Sequence, residues 1–277
     1  MPETQELKDF KKNHPWPDEA GIDSLFRFYK FNEDHVDYLS HLFVDAKIYH
    51  TLPAQFNDPF ECKPHFNWPK SAAKVLAIRQ HLIKVERQHG HTKKEAESKV
   101  SRIMGNREIL QDTIYNVLQK NYGELRICSF TTQKENLLFW SHYADSHKGF
   151  CVEFDATKMP IVYAYKVQYQ EEYPEVVYPT PRDARVFIPA LIKSKIWEYE
   201  QEFRTIFVPE AVRQPVNDGE SLLLNGDVIK NIYFGASIND TNKKRLLDLV
   251  NKGPFRPGIW NTNLSKSSFS LEFSQCN

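Results

Sequence analysis

Residues 69–123 carry their apolar side chains at helical spacing, and the chain that follows has the alternating, aromatic-rich segments typical of strands. A helix buries positions that recur every three or four residues, whereas a strand buries every second one. Val75 and Leu82 lie on one predicted helix, and the sequence from Thr92 to Glu95 has the capping-box pattern that begins another. We therefore expect residues 69–123 to form a helical insertion or subdomain beside a sheet.

The rest of the chain predicts a mixture of strands and helices. Asn225-Gly226 is a favoured two-residue hairpin turn, with a strand expected on each side. Helices are predicted at 137–144, before Trp197 and around Leu246. Further strands are expected at 24–31, 47–50, 125–131, 149–155, 162–169 and 202–208. We expect one α+β domain over residues 1–277, with a mixed, mainly antiparallel central sheet.

The charge and cysteine content of the chain argue against several classes of function. The chain has 36 basic and 36 acidic residues, so no net field favours nucleic acid or an anionic membrane. No segment approaches the ~18 consecutive apolar residues of a membrane span, and the first twelve residues lack the pattern of a secretory signal. The four cysteines are scattered without CxxC pairing. These features predict a cytoplasmic protein with reduced thiols, no membrane partner and no metal.

The reactive side chains between 128 and 153 allow two interpretations. His142 and His147 are five residues apart, which does not bring them together on one helical face as metal ligands. Cys151 with either histidine would make a thiolate and base for a hydrolase. The other interpretation, which we prefer, is a buried structural thiol, because Cys151 lies in the apolar strand sequence FCVEF.

A second cluster, KSKIWEYEQEFR, contains carboxylates at alternate positions. If the strand predicted at 202–208 begins before Glu200, then Glu200 and Glu202 lie on one face of it, about 7 Å apart by the strand repeat. Such carboxylates can act together on a substrate. The alternative is a charged strand edge in which Glu202 pairs with Arg204 or Lys195.

The order of several motifs resembles a known family. LFRFYKF, LPAQFNDPFE, ICSFTTQKENLLFWSHYADSHKGFCVEF, LIKSKIWEYEQEFR and NIYFG follow one another as in the prokaryotic domain of unknown function 2971. The resemblance extends from about residue 25 to 273 and is weakest in 69–123. The family name itself implies little about activity.

A more distant resemblance is to the Arg-Ser-Glu type of mono-ADP-ribosyltransferase. Arg27, the Ser129-Phe130-Thr131 tripeptide and the Glu200-Gln201-Glu202 tripeptide occur in that group's order, although Thr131 replaces the second serine of its pattern. This resemblance implies an ADP-ribosyltransferase-like sheet, NAD as a substrate and cleavage of the nicotinamide–ribose bond. It also implies a small-molecule nucleotide as partner and a role as a toxin or phage-defence effector, without specifying an acceptor.

The same resemblance assigns roles to individual residues. Glu202, ahead of Glu200, would stabilise the positive charge that develops on the ribose. Arg27 would bind the diphosphate of NAD and assist catalysis. Ser129 and Thr131 would brace the carboxylate and the ribose of the cofactor. Trp140, His142 and Tyr143 lie in the WSHYADSHKG segment, which departs from that group's pattern, and we expect them to contact the cofactor as well, with Trp140 or Tyr143 stacking on a flat ring. We expect Arg27, Ser129 and Glu202 to surround one cleft, and we keep two alternatives: a Cys/His hydrolase and a non-catalytic ligand-binding or interaction module.

Overall fold

The computed structural model describes residues 4–31, 36–63, 65–176, 178–180, 183–209 and 216–276. The protein is a mixed α+β structure that divides into two compact units. The first unit comprises Met1–Leu52, Leu125–Gln168 and Ile196–Asn277, and the second comprises Pro53–Glu124 and Tyr169–Lys195. Within the described ranges, no helix has the length and apolar character needed to cross a membrane.

An eight-stranded sheet forms the centre of the first unit. Its strands, in spatial order, are β13 (Leu271–Gln275), β12 (Gly258–Leu264), β11 (Ile229–Phe234), β4 (Phe150–Asp155), β1 (Ser24–Tyr29), β3 (Arg126–Thr131), β8 (Glu202–Phe207) and β5 (Tyr165–Lys166). Neighbouring strands are antiparallel except β11 and β12. The mainly antiparallel central sheet is therefore confirmed, and β1, β3 and β8 are adjacent in it.

In the described part of the first unit the α-helices are α1 (Gln5–Asn13), α2 (Val36–Phe43), α6 (Leu137–His142) and α7 (Asp240–Lys252). In three of these helices, a side-chain oxygen of the N-cap residue caps the first turn. Thr4, Asn136 and Asn239 accept hydrogen bonds from the first backbone N–H groups of α1, α6 and α7. Each cap supplies an acceptor for a donor that has no partner within its helix.

Each face of the central sheet carries a buried apolar cluster. The α2 face carries Leu25, Tyr29 and Phe130, which pack in one apolar cluster with residues of α2 and α7. The α6 face carries Phe26 and Phe28, which pack with Phe139 and Trp140 of α6. Because successive strand residues point to opposite faces, neighbouring residues of β1 belong to different clusters.

Among its described residues, the second unit has the α-helices α3 (Ala72–Gln88), α4 (Lys93–Met104) and α5 (Arg107–Gly123). The capping box at Thr92 and Glu95 is present, with both reciprocal hydrogen bonds. The prediction of helices across 69–123 is confirmed, and the unit also includes 53–68 and 169–195. In those segments Lys193 forms a buried ion pair with Glu61 at 3.0 Å.

The remaining strands form two small sheets. One has three strands in the order β2 (Lys47–Tyr49), β10 (Ser221–Leu223) and β9 (Asn217–Asp218), and the other pairs β6 (Gln168–Gln170) with β7 (Ile192–Ser194). The predicted hairpin at Asn225-Gly226 is wrong. The strand before it pairs with β2, and the strand after it pairs with β4 and β12. Long-range pairing therefore overrides the local turn preference.

Two other local predictions are wrong. The predicted helix before Trp197 is instead two 3-10 segments, Ala184–Ala190 and Lys195–Glu200, separated by β7. Pro189 lies inside the first, and proline is unfavourable in an α-helix interior because it removes a backbone donor. The strand predicted at 162–169 is interrupted, because its first part is the 3-10 turn Ile161–Tyr163.

Candidate functional site

A buried ion pair lies at the start of β8. Arg204 donates from Nε to Glu202 Oε1 at 2.6 Å and from Nη2 to Oε2 at 3.0 Å, so the two groups form a bidentate pair. Glu202 is 3% exposed and Arg204 is 1% exposed. The strand repeat explains the contact, because residues two apart point to the same face. Of the two sequence interpretations of Glu202, pairing with Arg204 is the one that the contacts bear out.

Glu200 is not part of this strand. It ends the 3-10 segment Lys195–Glu200, and Gln201 then adopts a φ of 43° before β8 begins. The expectation that Glu200 and Glu202 are alternate residues of one strand is wrong, because the left-handed Gln201 backbone breaks the alternation. Glu200 is 4% exposed, and its Oε1 accepts a hydrogen bond from the Tyr143 hydroxyl at 2.9 Å.

The end of β3 holds the segment that contains Glu200. Thr131 Oγ1 donates to the backbone carbonyl of Glu200 at 2.6 Å. Gln201 Oε1 accepts from Thr132 Oγ1 at 2.9 Å and from Gln133 Nε2 at 2.6 Å. These three bonds position the backbone between the two carboxylates and offset the strain of the Gln201 conformation.

Ser129 and Thr131 share the α6 face with the ion pair. In the β3–β8 register, Ser129 is opposite Arg204 and Thr131 is opposite Glu202. Directly opposed residues of an antiparallel pair point to the same face. Ser129 is half-buried, and its hydroxyl forms no hydrogen bond with the described part of the chain. Of the three residues expected around one cleft, Ser129 and Glu202 therefore lie on the same face of adjacent strands.

Arg27 does not join that group. Phe26 is the β1 residue opposite Thr131, so its neighbour Arg27 points to the α2 face. Arg27 Nη1 donates to Cys128 Sγ at 3.0 Å and to the Ser129 carbonyl at 2.8 Å. The expectation of one cleft around Arg27, Ser129 and Glu202 is therefore wrong for Arg27, which the sheet separates from Glu202.

The residues predicted to contact a cofactor through their rings differ in how exposed they are. Trp140 is completely buried, donates from Nε1 to the Lys134 carbonyl at 2.9 Å, and packs edge-on against Phe28 at 5.0 Å. It has no face available for a ligand, so its expected stacking role is wrong. His142 is exposed, and Tyr143 is half-buried with its hydroxyl directed to Glu200.

The WSHYADSHKG motif has a structural explanation. Asp145, Ser146 and His147 all have positive φ values, of 47°, 52° and 67°, and they form a left-handed turn between α6 and β4. A Cβ at Gly149 would lie 2.1 Å from the backbone oxygen of Tyr29, so this position admits only glycine without rearrangement. The requirement for this sequence thus follows in part from the backbone of the tight turn.

Cys151 is a buried thiol on the α6 face, with no exposed surface. Burial, reinforced by the nearby Glu153 carboxylate, raises the pKa of Cys151 well above its ordinary value. The thiol is protonated at neutral pH, which is opposite to the state a nucleophile requires. The interpretation of Cys151 as structural is supported, and the hydrolase loses its nucleophile.

A second polar cluster on the α6 face is centred on Glu153 and was not predicted from the sequence. Its carboxylate accepts hydrogen bonds from Ser24 Oγ at 2.7 Å, Asn231 Nδ2 at 2.8 Å and the Tyr233 hydroxyl at 2.6 Å. Burial raises the pKa of Glu153, but these hydrogen bonds outweigh it and leave the pKa below its ordinary value. Nearby, Lys134 Nζ lies 4.7 Å from the Tyr233 ring centroid. The signal in the sequence was a lone carboxylate inside the apolar strand FCVEF.

Among the described residues, no group of three or more His, Cys, Asp or Glu side chains has an arrangement that could hold a metal ion. Comparisons of the chain with protein-family models, with curated proteins and with solved structures give no match.

Proposed function

We propose that the chain is an ADP-ribosyltransferase-like enzyme that cleaves NAD, with its reactive region on the α6 face between β3 and β8. One observation carries the proposal: Ser129 and Thr131 lie directly opposite Arg204 and Glu202 on adjacent strands of one sheet. The resemblance of the Ser129-Phe130-Thr131 and Glu200-Gln201-Glu202 tripeptides to those of the Arg-Ser-Glu transferases is the reason for proposing this chemistry at that place. Arg27 has no role in it, because that side chain points to the other face.

The chemistry of the site follows from charge and rigidity. Cleavage of the nicotinamide–ribose bond places positive charge on the ribose, as in glycoside hydrolysis. Glu202 is held by two hydrogen bonds from Arg204, so its carboxylate needs no reorganisation when that charge develops. Ser129 offers a hydroxyl that no described residue uses, and it would bind a ribose hydroxyl. Tyr143 would position Glu200 through its 2.9 Å hydrogen bond.

The decisive experiment is to incubate the purified protein with NAD and to measure released nicotinamide by mass spectrometry. Glu202→Gln should lower the rate on the order of 10²-fold or more, as removal of a preorganised catalytic group does. Glu272→Gln, at an exposed carboxylate on β13, is the matched control and should keep the wild-type rate.

Ser129→Ala separates catalysis from folding, because the Ser129 hydroxyl has no hydrogen bond to lose in the described structure. This variant should unfold at the wild-type temperature and release nicotinamide more slowly. Wild-type protein that releases no nicotinamide, or a folded Glu202→Gln variant that releases it at the wild-type rate, would contradict the proposal.

A second candidate function is a non-catalytic ligand-binding or interaction module. The bidentate pair favours it, because both Glu202 oxygens already accept charged hydrogen bonds from Arg204. Saturable NAD binding in calorimetry without nicotinamide release would support this candidate over the transferase.

The biological role that we propose for the transferase is that of a toxin or phage-defence effector. Expression of the wild-type chain should then slow bacterial growth or reduce phage yield. Ser129→Ala should relieve the effect at equal protein level, and equal effects of the two chains would contradict this role.

A further inference from the structure

Arg27 is a half-buried cation whose described partners are all uncharged. Its Nη1 donates to the Cys128 thiol and to the Ser129 carbonyl, and the guanidinium also hydrogen-bonds the Tyr38 side chain. Across the described ranges, no carboxylate forms an ion pair with it. Withdrawing a guanidinium from water without a counter-charge is costly, so this arrangement favours an anion at the same place.

The titratable groups that the structure describes around Arg27 do not supply that counter-charge. Burial raises the pKa of Cys128 to about 11 and the pKa of Tyr38 to about 12, so both are protonated at neutral pH. Burial also lowers the pKa of His50 to about 3, which leaves its imidazole neutral. Among the described residues, the titratable groups that act on the guanidinium are therefore neutral at neutral pH.

The second observation is a hydroxyl without a partner. Tyr29, two residues after Arg27 on the same strand face, is 7% exposed, and its hydroxyl has no hydrogen-bond partner in the described part of the chain. The guanidinium carbon of Arg27 lies 5.5 Å from the Tyr29 ring centroid. A buried hydroxyl without a partner is rare in folded proteins, and here it lies beside a cation that no described carboxylate pairs with.

A nearby ion pair on this face, between Arg126 and Glu220, does not neutralise Arg27. Arg126 precedes Cys128 by two residues on β3, so it points to the same α2 face. Its Nη2 lies 3.1 Å from a Glu220 carboxylate oxygen. One arginine on the face therefore has a carboxylate partner, and the net charge of the two arginines and Glu220 is positive.

We propose that Arg27 binds a small oxyanion of the phosphate type on the α2 face, with Tyr38 and Tyr29 as hydroxyl donors. The planar guanidinium matches the geometry of phosphate oxygens, and its remaining N–H groups can donate to two of them. The site is on the opposite face of the sheet from Glu202 and does not depend on cleavage of NAD. The anion is inorganic phosphate or the phosphoryl group of a nucleotide monoester, which share this chemistry.

The test is thermal unfolding and calorimetric titration of the full chain with inorganic phosphate, and separately with AMP, against chloride at equal ionic strength. Binding to the folded state raises the unfolding temperature in a saturable way. The wild type should show this shift with at least one of the two ligands, and the ligand that binds more tightly identifies the source of the phosphoryl group. Absence of saturable binding by both ligands would overturn the proposal.

Variants connect the binding to the site. Arg27→Gln should abolish the shift, and Arg27→Lys should weaken it because the ammonium lacks the planar fork. Tyr29→Phe, which removes only the unpartnered hydroxyl, should weaken binding on the order of tenfold and keeps the test valid if Arg27→Gln does not fold. Arg79→Gln, at an exposed arginine of α3, is the control and should bind as the wild type does. Wild-type affinity in both Arg27→Lys and Tyr29→Phe would refute the site.

Discussion

Removing the charge of Glu202 tests most directly whether the Glu202–Arg204 ion pair is desolvated in the folded chain. Glu202→Gln keeps the size of the side chain but leaves the Arg204 guanidinium, which is 1% exposed, without its carboxylate. Breaking one partner of a buried pair costs about 3–5 kcal/mol, because the remaining charge stays desolvated. The total stability of a protein domain is about 5–15 kcal/mol, so this variant should be markedly less stable.

The assay is urea unfolding followed by circular dichroism, with the free energy of unfolding extrapolated to zero denaturant. Arg204→Met alone should also destabilise, while the double variant Glu202→Leu/Arg204→Met should recover much of the loss, since neither charge of the pair remains. Glu202→Leu alone completes a double-mutant cycle. The coupling energy of the pair is the stability change of the double variant minus the sum of the changes in Glu202→Leu and Arg204→Met. A loss below about 1 kcal/mol for Glu202→Gln would show that the pair is well solvated and would refute this reasoning.

Three further predictions concern the same unit. His50 has a folded-state pKa of about 3, below its ordinary 6.5, so the unfolded chain binds a proton that the folded chain does not between these values. The free energy of unfolding should therefore fall as pH is lowered from about 6.5 towards 3, by up to about 1.4 kcal/mol per pH unit. In urea titrations, His50→Gln should show a weaker dependence of this free energy on pH. Equal pH dependences of the wild type and His50→Gln would exclude His50 as the cause. Gly149→Ala should destabilise by about 1–3 kcal/mol or more because its Cβ meets backbone atoms, whereas Gly226→Ala, with open space at its Cβ, should be near neutral in thermal unfolding. Under iodoacetamide at neutral pH, Cys276 should be alkylated before the completely buried Cys151, as peptide mass spectrometry can measure, and the reverse order would be inconsistent with a structural Cys151.

Local sequence patterns were sufficient to predict most elements of the fold. The helices of 69–123 are specified by apolar spacing and by the Thr92 capping box, both of which act within a few residues. The strands around Arg27, Ser129 and Glu202 are likewise evident from β-branched and aromatic residues. The Asn225-Gly226 hairpin was predicted wrongly, because strand pairing depends on which distant strand covers each face.

The sequence by itself also determined which residues are chemically distinctive: the carboxylates Glu200 and Glu202, the hydroxyl of Ser129 and the guanidinium of Arg27. Only the tertiary structure decided which of them meet. The β3–β8 register brings Ser129 and Glu202 to one face, and the β1–β3 register turns Arg27 to the other. The physical reason is that side chains alternate along a strand, so a shift of one residue in register reverses the face of every side chain. Register is set by long-range pairing and packing, which the order of motifs along the chain does not contain.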